Sequence, residues 1–198
     1  YHLVPAGILV DESIRLLGAI VVPGGVGNSE LQVEVMRHLR VSVYILAPSF
    51  LMTLITKAEE KGYNFRQDFA LRLAVVALER RPELRRIFEE KYGIDTRETY
   101  GTADLGLLAY ECEHKNGLHV LEDFFVEIAD PGTGRRLSPG EIGEIVVTTF
   151  HDTYPLIRFG TGDLSSYTEE PCPCGRSSLR LTGVVGRVGE AVKTRGMF

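Results

Sequence analysis

The chain is poor in cysteine, has no long apolar run and carries no surplus of positive charge, and each shortage narrows what it can be. The longest apolar run, Leu16 to Val22, is interrupted by Gly18 and stopped by Pro23, far short of the roughly 20 residues that span a bilayer. No charged start followed by an apolar core and a small-residue cleavage site is present, so no signal peptide is read. Lys and Arg number 22 against 27 Asp and Glu, the net charge is -5, and no basic run occurs, which argues against nucleic acid as the main partner. Internal repeats and low-complexity stretches are lacking as well. What is there, 44% apolar and 25% charged residues over 198 positions, is the composition of an ordinary soluble globular chain of one or two domains. The expected compartment is the cytoplasm, with neither a membrane nor a nucleic acid as partner.

Apolar spacing divides the chain into two regions. In the first, helix and strand patterns alternate. Asp11 to Leu17 has helical spacing, and Ala19 to Val22 predicts a buried strand ended by Pro23 and two glycines. Asn28 or Ser29 can cap a helix that runs through Leu31, Val33, Val35, Met36 and Leu39 to Arg40. Val41 to Ala47 predicts a strand, and Pro48 opens a helix that Gly62 ends. Leu71 to Leu78 and Ile94 to Tyr100 predict strands on either side of a charged amphipathic helix over Pro82 to Tyr92. Such alternation implies βαβ units and a parallel sheet. In the second region, strands predicted at Asp123 to Asp130, Gly143 to Phe150, Leu164 to Tyr167 and Leu179 to Val185 are separated by turns such as Asp130-Pro131-Gly132 and Ser138-Pro139-Gly140. The expected fold class is therefore α/β, a parallel-sheet βαβ subdomain over 1–105 followed by a smaller β-rich subdomain over 106–186. Tyr100 to Asp104 then falls just past the carboxyl end of a strand, where open α/β sheets bind ligands.

The stretch from Phe150 to Leu164 carries the most chemistry. Gly160-Thr161-Gly162-Asp163 predicts an exposed, glycine-lined loop in which the backbone can take conformations a side chain forbids and a ligand can approach closely. Asp163 would point a pair of acceptors at a diol. Read alone, the same four residues fit a plain tight turn equally well.

Its neighbours add weight. Tyr100-Gly101-Thr102-Ala103-Asp104, Gly143-Glu144-Ile145-Val146-Val147, Pro155-Leu156-Ile157-Arg158 through Asp163-Leu164, and Gly186-Arg187 through Arg195-Gly196 follow one another in order. Asn116-Gly117-Leu118-His119 with Glu122-Asp123 lies between the first two. In order and spacing these motifs resemble the adenylate-forming acyl-CoA ligases, most closely the phenylacetate-CoA ligase branch, over nearly the whole chain.

The resemblance implies a set of roles. Tyr100, Gly101 and Thr102 would meet the adenine, Asp163 would accept hydrogen bonds from both ribose hydroxyls, and Arg158 would brace the loop unless it serves as a surface ion pair. Asp104, in the place of the family's Glu, would hold Mg2+ on the phosphates, since a hard carboxylate suits that ion. Arg187 would stand near the phosphates as a second catalytic group, and Pro48 with Phe50 would line the acyl pocket unless they are a helix start and a core residue. Residues 187–198 would be a hinge towards a C-terminal domain, with Lys193 part of the hinge and not the family's catalytic lysine. The chain, opening at Tyr1 and stopping after Arg195-Gly196, is expected to be an internal piece. Ala103 stands where the family carries Ser or Thr, Gly189 where it carries Asp or Lys, and Val76-Ala77-Leu78-Glu79 where it has an adenine-binding turn.

Three cysteines, Cys112, Cys172 and Cys174, give an independent signal. Cytoplasmic thiols are rarely paired as disulfides, so a Cys-Pro-Cys-Gly knuckle with a further Cys and His nearby suggests metal. Cys112 and His119 could meet the knuckle to close a Cys3His zinc site, with His114 as the rival fourth ligand and unlinked buried thiols as the alternative. Four filled positions would make the zinc structural.

The expected activity is ATP- and Mg2+-dependent conversion of an aryl or acyl carboxylate to acyl-AMP, followed by thioester formation with CoA. Its partners would be the small-molecule carboxylate, ATP and CoA, and a homodimer is compatible with it. The alternatives are an adenylating enzyme with another acyl acceptor, or a catalytically silent domain that binds nucleotide or a partner around a zinc-stapled β layer.

Overall fold

Local chemistry starts the helices of the first region. Asn28, in the left-handed conformation, accepts the Leu31 N–H at 3.2 Å and opens α2 (Ser29–His38). Pro48 sits in the first turn of α3 (Pro48–Glu60), where its missing N–H leaves no partner unmet. The computed structural model describes residues 5–25 and 27–189. The hinge-like residues from 190 on, Lys193, Arg195 and Gly196 among them, lie outside the described residues, as does His2.

Two compact units divide the chain, residues 1–74 with 81–96 and residues 75–80 with 97–198. In the first, α1 (Pro5–Leu16), α2, β1 (Val43–Leu46), α3, the short α4 (Phe65–Asp68) and α5 (Pro82–Ile87) accompany the starts of β2 (Leu73–Val76) and β3 (Asp95–Thr102). The Arg72 N–H bonds to Ser42 O at 2.9 Å and the Asp95 N–H to Arg72 O at 2.8 Å. The three strands therefore start side by side and run parallel, as the alternation of helices and strands requires. Val33 and Met36 of α2 and Leu51, Leu54, Ile55 and Ala58 of α3 bury the apolar stripes of the two helices, with Phe65, Phe88, Tyr92 and Ile94 completing the core.

Two sequence expectations shift here, and one helix is new. Ala19 to Val22 forms no strand, and Ile20 is 93% exposed. An apolar run becomes a strand only when a neighbouring backbone takes up its N–H and C=O groups, and β2 is the sheet neighbour of β1. The helix expected over Pro82 to Tyr92 changes pitch at Phe88 and finishes as a π-helical turn, Phe88–Tyr92. Gly93, at φ 69°, closes that wider turn by donating its N–H to Phe88 O. Helix α4 is an addition, capped by Asn64, whose side chain accepts the Gln67 N–H while its own N–H is held by Asp68.

The second unit is antiparallel. One of its sheets runs from the end of β3 through β4 (Gly106–Glu111), β5 (Leu118–Val120), β10 (Arg180–Leu181) and β9 (Tyr167–Thr168). A second sheet has the order β11 (Gly186–Arg187), β8 (Phe159–Ser165), β7 (Gly143–Thr149), β6 (Phe124–Ala129). Leu108, Ala109 and Leu118 from the first sheet pack with Val126, Ile128, Ile145 and Val147 from the second, so the β-rich part has one shared core. Among the described residues no helix is long and apolar enough to cross a membrane.

Candidate functional site

Gly160-Thr161-Gly162-Asp163 is not the exposed loop expected from its glycines. It lies inside strand β8, which pairs with β7 on one edge and β11 on the other. Glu144 faces Leu164 and Val146 faces Gly160, so Thr161, Gly162 and Asp163 stand against the single residue Ile145 as a bulge. Glycine content marks a weak strand but says nothing of the bonds two neighbours can supply. Gly162, at φ +75°, takes the left-handed conformation the bulge needs, and its N–H is held by Glu144 Oε1 at 2.9 Å. At Gly160 a Cβ would meet that same Glu144 oxygen at 2.6 Å.

The bulge aims Asp163 at two partners. Its Oδ2 accepts from the Tyr100 hydroxyl at 2.9 Å, and its Oδ1 meets Arg187 Nε at 3.1 Å. Arg187 faces Asp163 across the β8–β11 ladder and donates a second bond to Thr161 O at 3.4 Å. Tyr100 is 8% exposed, and burial holds its phenol well above the ordinary value, with the Asp163 charge adding to the shift. The structure thus brings three of the sequence candidates, Tyr100, Asp163 and Arg187, to one point.

The other candidates surround it differently. Gly101 lies at a register shift between β3 and β4, where a Cβ would strike the Gly106 carbonyl oxygen. Thr102 Oγ1 accepts the Leu105 N–H and closes the turn that carries Asp104, whose side chain is exposed. Arg158 bonds Glu127 at 3.0 Å and Gly134 O at 2.8 Å, tying the approach to β8 onto β6 and the turn after it. In the first unit, Pro48 is buried and Phe50 half-buried in the first turn of α3.

Cys112, His119, Cys172 and Cys174 converge, their ligand atoms all within 4.8 Å of one another. Cys112 Sγ lies 3.7 Å from Cys172 Sγ, and Cys174 Sγ lies 3.4 Å from His119 Nε2. Sulfurs about 2.3 Å from one tetrahedral zinc stand roughly 3.8 Å apart, whereas a disulfide requires about 2.05 Å. The spacing fits a shared ion, and all three thiols are free. His119 Nδ1 pairs with Ser178 Oγ at 3.1 Å, which suits the tautomer that leaves Nε2 open. Burial and then the charges of Arg180 and Arg176 push the His119 imidazole below its ordinary value. Burial pushes the Cys112 thiol up. It acts the same way on Cys174, but hydrogen bonds from the Arg176 backbone and guanidinium bring that thiol down to about 7. His114, the rival ligand, sits in the exposed turn before β5 and is outside the cluster.

No family model matches the chain. Over all of its length it is 32% identical to a phenylacetate-coenzyme A ligase of Thermus thermophilus and 29% identical to that of Escherichia coli. The chain is similar over its whole length to phenylacetate-CoA ligases. It spans 45% of the Thermus relative, about half the length of the curated proteins it matches. It is also similar in structure to 2-hydroxyisobutyryl-CoA ligase in complex with 2-HIB-AMP and CoA in the thioesterification state. That match has a TM-score of 0.86 at 28% identity, over 93% of this chain and 41% of the other. An open conformation of the same ligase gives 0.77 at 27% identity over 87% and 42%.

Three residues of the acyl-CoA ligase fold escaped the sequence reading. Glu144, inside a recognised motif, holds the bulge backbone, and its motif was the available signal. Ser178 and Arg180 border the cysteine cluster, and nothing in their spacing points there.

Proposed function

We propose that this chain supplies the nucleoside-facing part of an AMP-forming aryl- or acyl-CoA ligase, an acid–thiol ligase. The reaction converts a carboxylate and ATP to acyl-AMP, and the CoA thiol then displaces AMP. Activation is needed because a carboxylate resists nucleophilic attack. The observation that carries the proposal is the Asp163 carboxylate, fixed in its bulge by Tyr100 and Arg187. A carboxylate offers about four lone-pair sites. Tyr100 and Arg187 engage one on each oxygen, leaving one on each for the two hydroxyls of a ribose. Tyr100, Gly101 and Thr102 would border the base, and Arg187 would counter negative charge developing at phosphorus.

Asp104 would hold Mg2+ on the phosphates; its exposed carboxylate is a hard oxygen donor of the kind that ion takes. Arg158 would brace the bulged strand, and Pro48 and Phe50 would shape the acyl pocket. Cys112, His119, Cys172 and Cys174 fit a structural zinc, which would staple the hairpin of β4 and β5 to the knuckle before β10. Small-molecule carboxylate, ATP and CoA are the partners of this reading, the cytoplasm is its compartment, and a homodimer is compatible with it.

Pyrophosphate exchange by the whole protein across a panel of aryl and alkyl acids tests the proposal. Exchange that depends on a particular acid is expected. No exchange with any acid would favour the silent nucleotide- or partner-binding domain, a reading to which Ala103, beside Asp104, also leans. Exchange without thioester formation would favour another acyl acceptor.

A further inference from the structure

Arg180 is 1% exposed. Its guanidinium donates to Glu170 O at 2.7 Å and to Asn116 O, and among the described residues no carboxylate pairs with it. Carbonyl oxygens satisfy its N–H groups but leave the charge itself without a counter-ion, and a buried charge so placed is strongly unfavourable. A negative charge nearby would offset that cost. Arg180 of β10 stands directly opposite His119 of β5, and His119 Nε2 touches Cys174 Sγ within the Cys112, Cys172 and Cys174 cluster. Zinc bound by three thiolates and a neutral imidazole carries a net negative charge, because the thiolates outweigh the divalent ion.

We propose that Arg180 is the buried counter-cation of an anionic Cys3His zinc centre formed by Cys112, His119, Cys172 and Cys174. The inference rests on the zinc reading given above. The two carbonyl bonds add a second effect. Asn116 lies between Cys112 and His119, and Glu170 lies two residues before Cys172. Arg180 thus also ties together the two segments that deliver the ligands, so a test must separate charge from tethering.

The test is competition for zinc between the purified protein and a chromophoric chelator. R180Q should lower zinc affinity by about tenfold or more, the range typical of residues just outside a metal's ligands. R180K, which keeps the charge and loses the forked bonds, should recover most of that loss. Cys174→His makes the centre neutral, and in that background R180Q should change affinity by no more than about twofold. Equal losses in both backgrounds would reduce Arg180 to a tether and overturn the proposal, as would wild-type affinity in R180Q. Should R180Q fail to fold, R180K alone decides: near-native affinity upholds the counter-cation, and a loss as large as tenfold overturns it. Elemental analysis finding no zinc in the unmodified protein would instead refute the zinc reading, a result distinct from any of these.

Discussion

Replacing Asp163 by alanine removes a carboxylate that the fold uses twice and that the proposed activity uses a third time. Tyr100, 8% exposed, loses the acceptor 2.9 Å from its hydroxyl, and stranding a buried donor costs about 1–3 kcal/mol. The Arg187 pair adds little, since its side chains keep 26% and 18% of their exposure and solvent screens such pairs to about 0–1 kcal/mol. The variant should therefore be less stable by about 1–3 kcal/mol and still fold, within the roughly 5–15 kcal/mol available to a typical domain. Binding should suffer separately. Losing the charge-assisted contact to a ribose costs about 1.5–3 kcal/mol, or roughly 10- to 150-fold in AMP affinity. Y100F divides the two effects, because it removes the hydroxyl and keeps the carboxylate. It should cost about 0.5–1.5 kcal/mol of stability and leave AMP affinity within a few fold. Urea melts and calorimetric titration with AMP read both quantities. A folded D163A protein with wild-type AMP affinity would refute the ribose role.

The remaining predictions concern the metal, the β3–β4 hairpin and alkaline pH. Purified protein should carry about one zinc per chain with zinc–sulfur distances near 2.3 Å, a strong chelator should lower the melting temperature, and Cys172→Ser should mimic it; elemental analysis without zinc rejects this. Gly101→Ala drives a Cβ onto the Gly106 carbonyl oxygen, a backbone atom that cannot turn aside, so destabilisation by at least about 1–3 kcal/mol is expected in denaturant melts, and native stability would contradict the hairpin register. The Tyr100 phenol, raised by burial, is protonated in the folded chain where the unfolded one has ionised. Its contribution is complete below about pH 10, the unfolded value, and is lost as pH climbs from there towards the folded value. Y100F should flatten the fall in stability above about pH 10, and identical alkaline slopes would count against the buried hydroxyl.

Features decided within a few residues were legible in the sequence. Asn28 caps α2 and Pro48 opens α3 because a side-chain acceptor and a missing N–H act on the adjacent turn. Strands β4 and β5 were passed over, since Gly106 opens one and the other is three residues long, and both depend on pairing with partners set by the hairpin. The Ala19 to Val22 run failed in the opposite sense, apolar enough for a strand but unpaired. At the cysteines, spacing pointed to a metal cluster but could not separate His119 from His114. That choice follows from β5, which buries His119 facing the knuckle and leaves His114 in the exposed turn before the strand.

Both candidate sites share the device that the sequence conceals most completely. Asp163 faces Arg187 across β8 and β11, and His119 faces Arg180 across β5 and β10. Asp163, His119 and Arg187 were identifiable by type and Arg180 was not, but neither pairing was, because each arginine arrives on a two-residue strand from another part of the chain. Side chains directly opposite on antiparallel strands share a face and lie close enough to interact. A slip of one residue in β11 would turn Arg187 to the other face of its sheet, and the same slip in β10 would withdraw Arg180 from His119. Strands this short hold few ladder bonds with which to resist such a slip. The arginines' own bonds, from Arg187 to Thr161 O and from Arg180 to Glu170 O and Asn116 O, therefore help to fix the registers on which both sites depend.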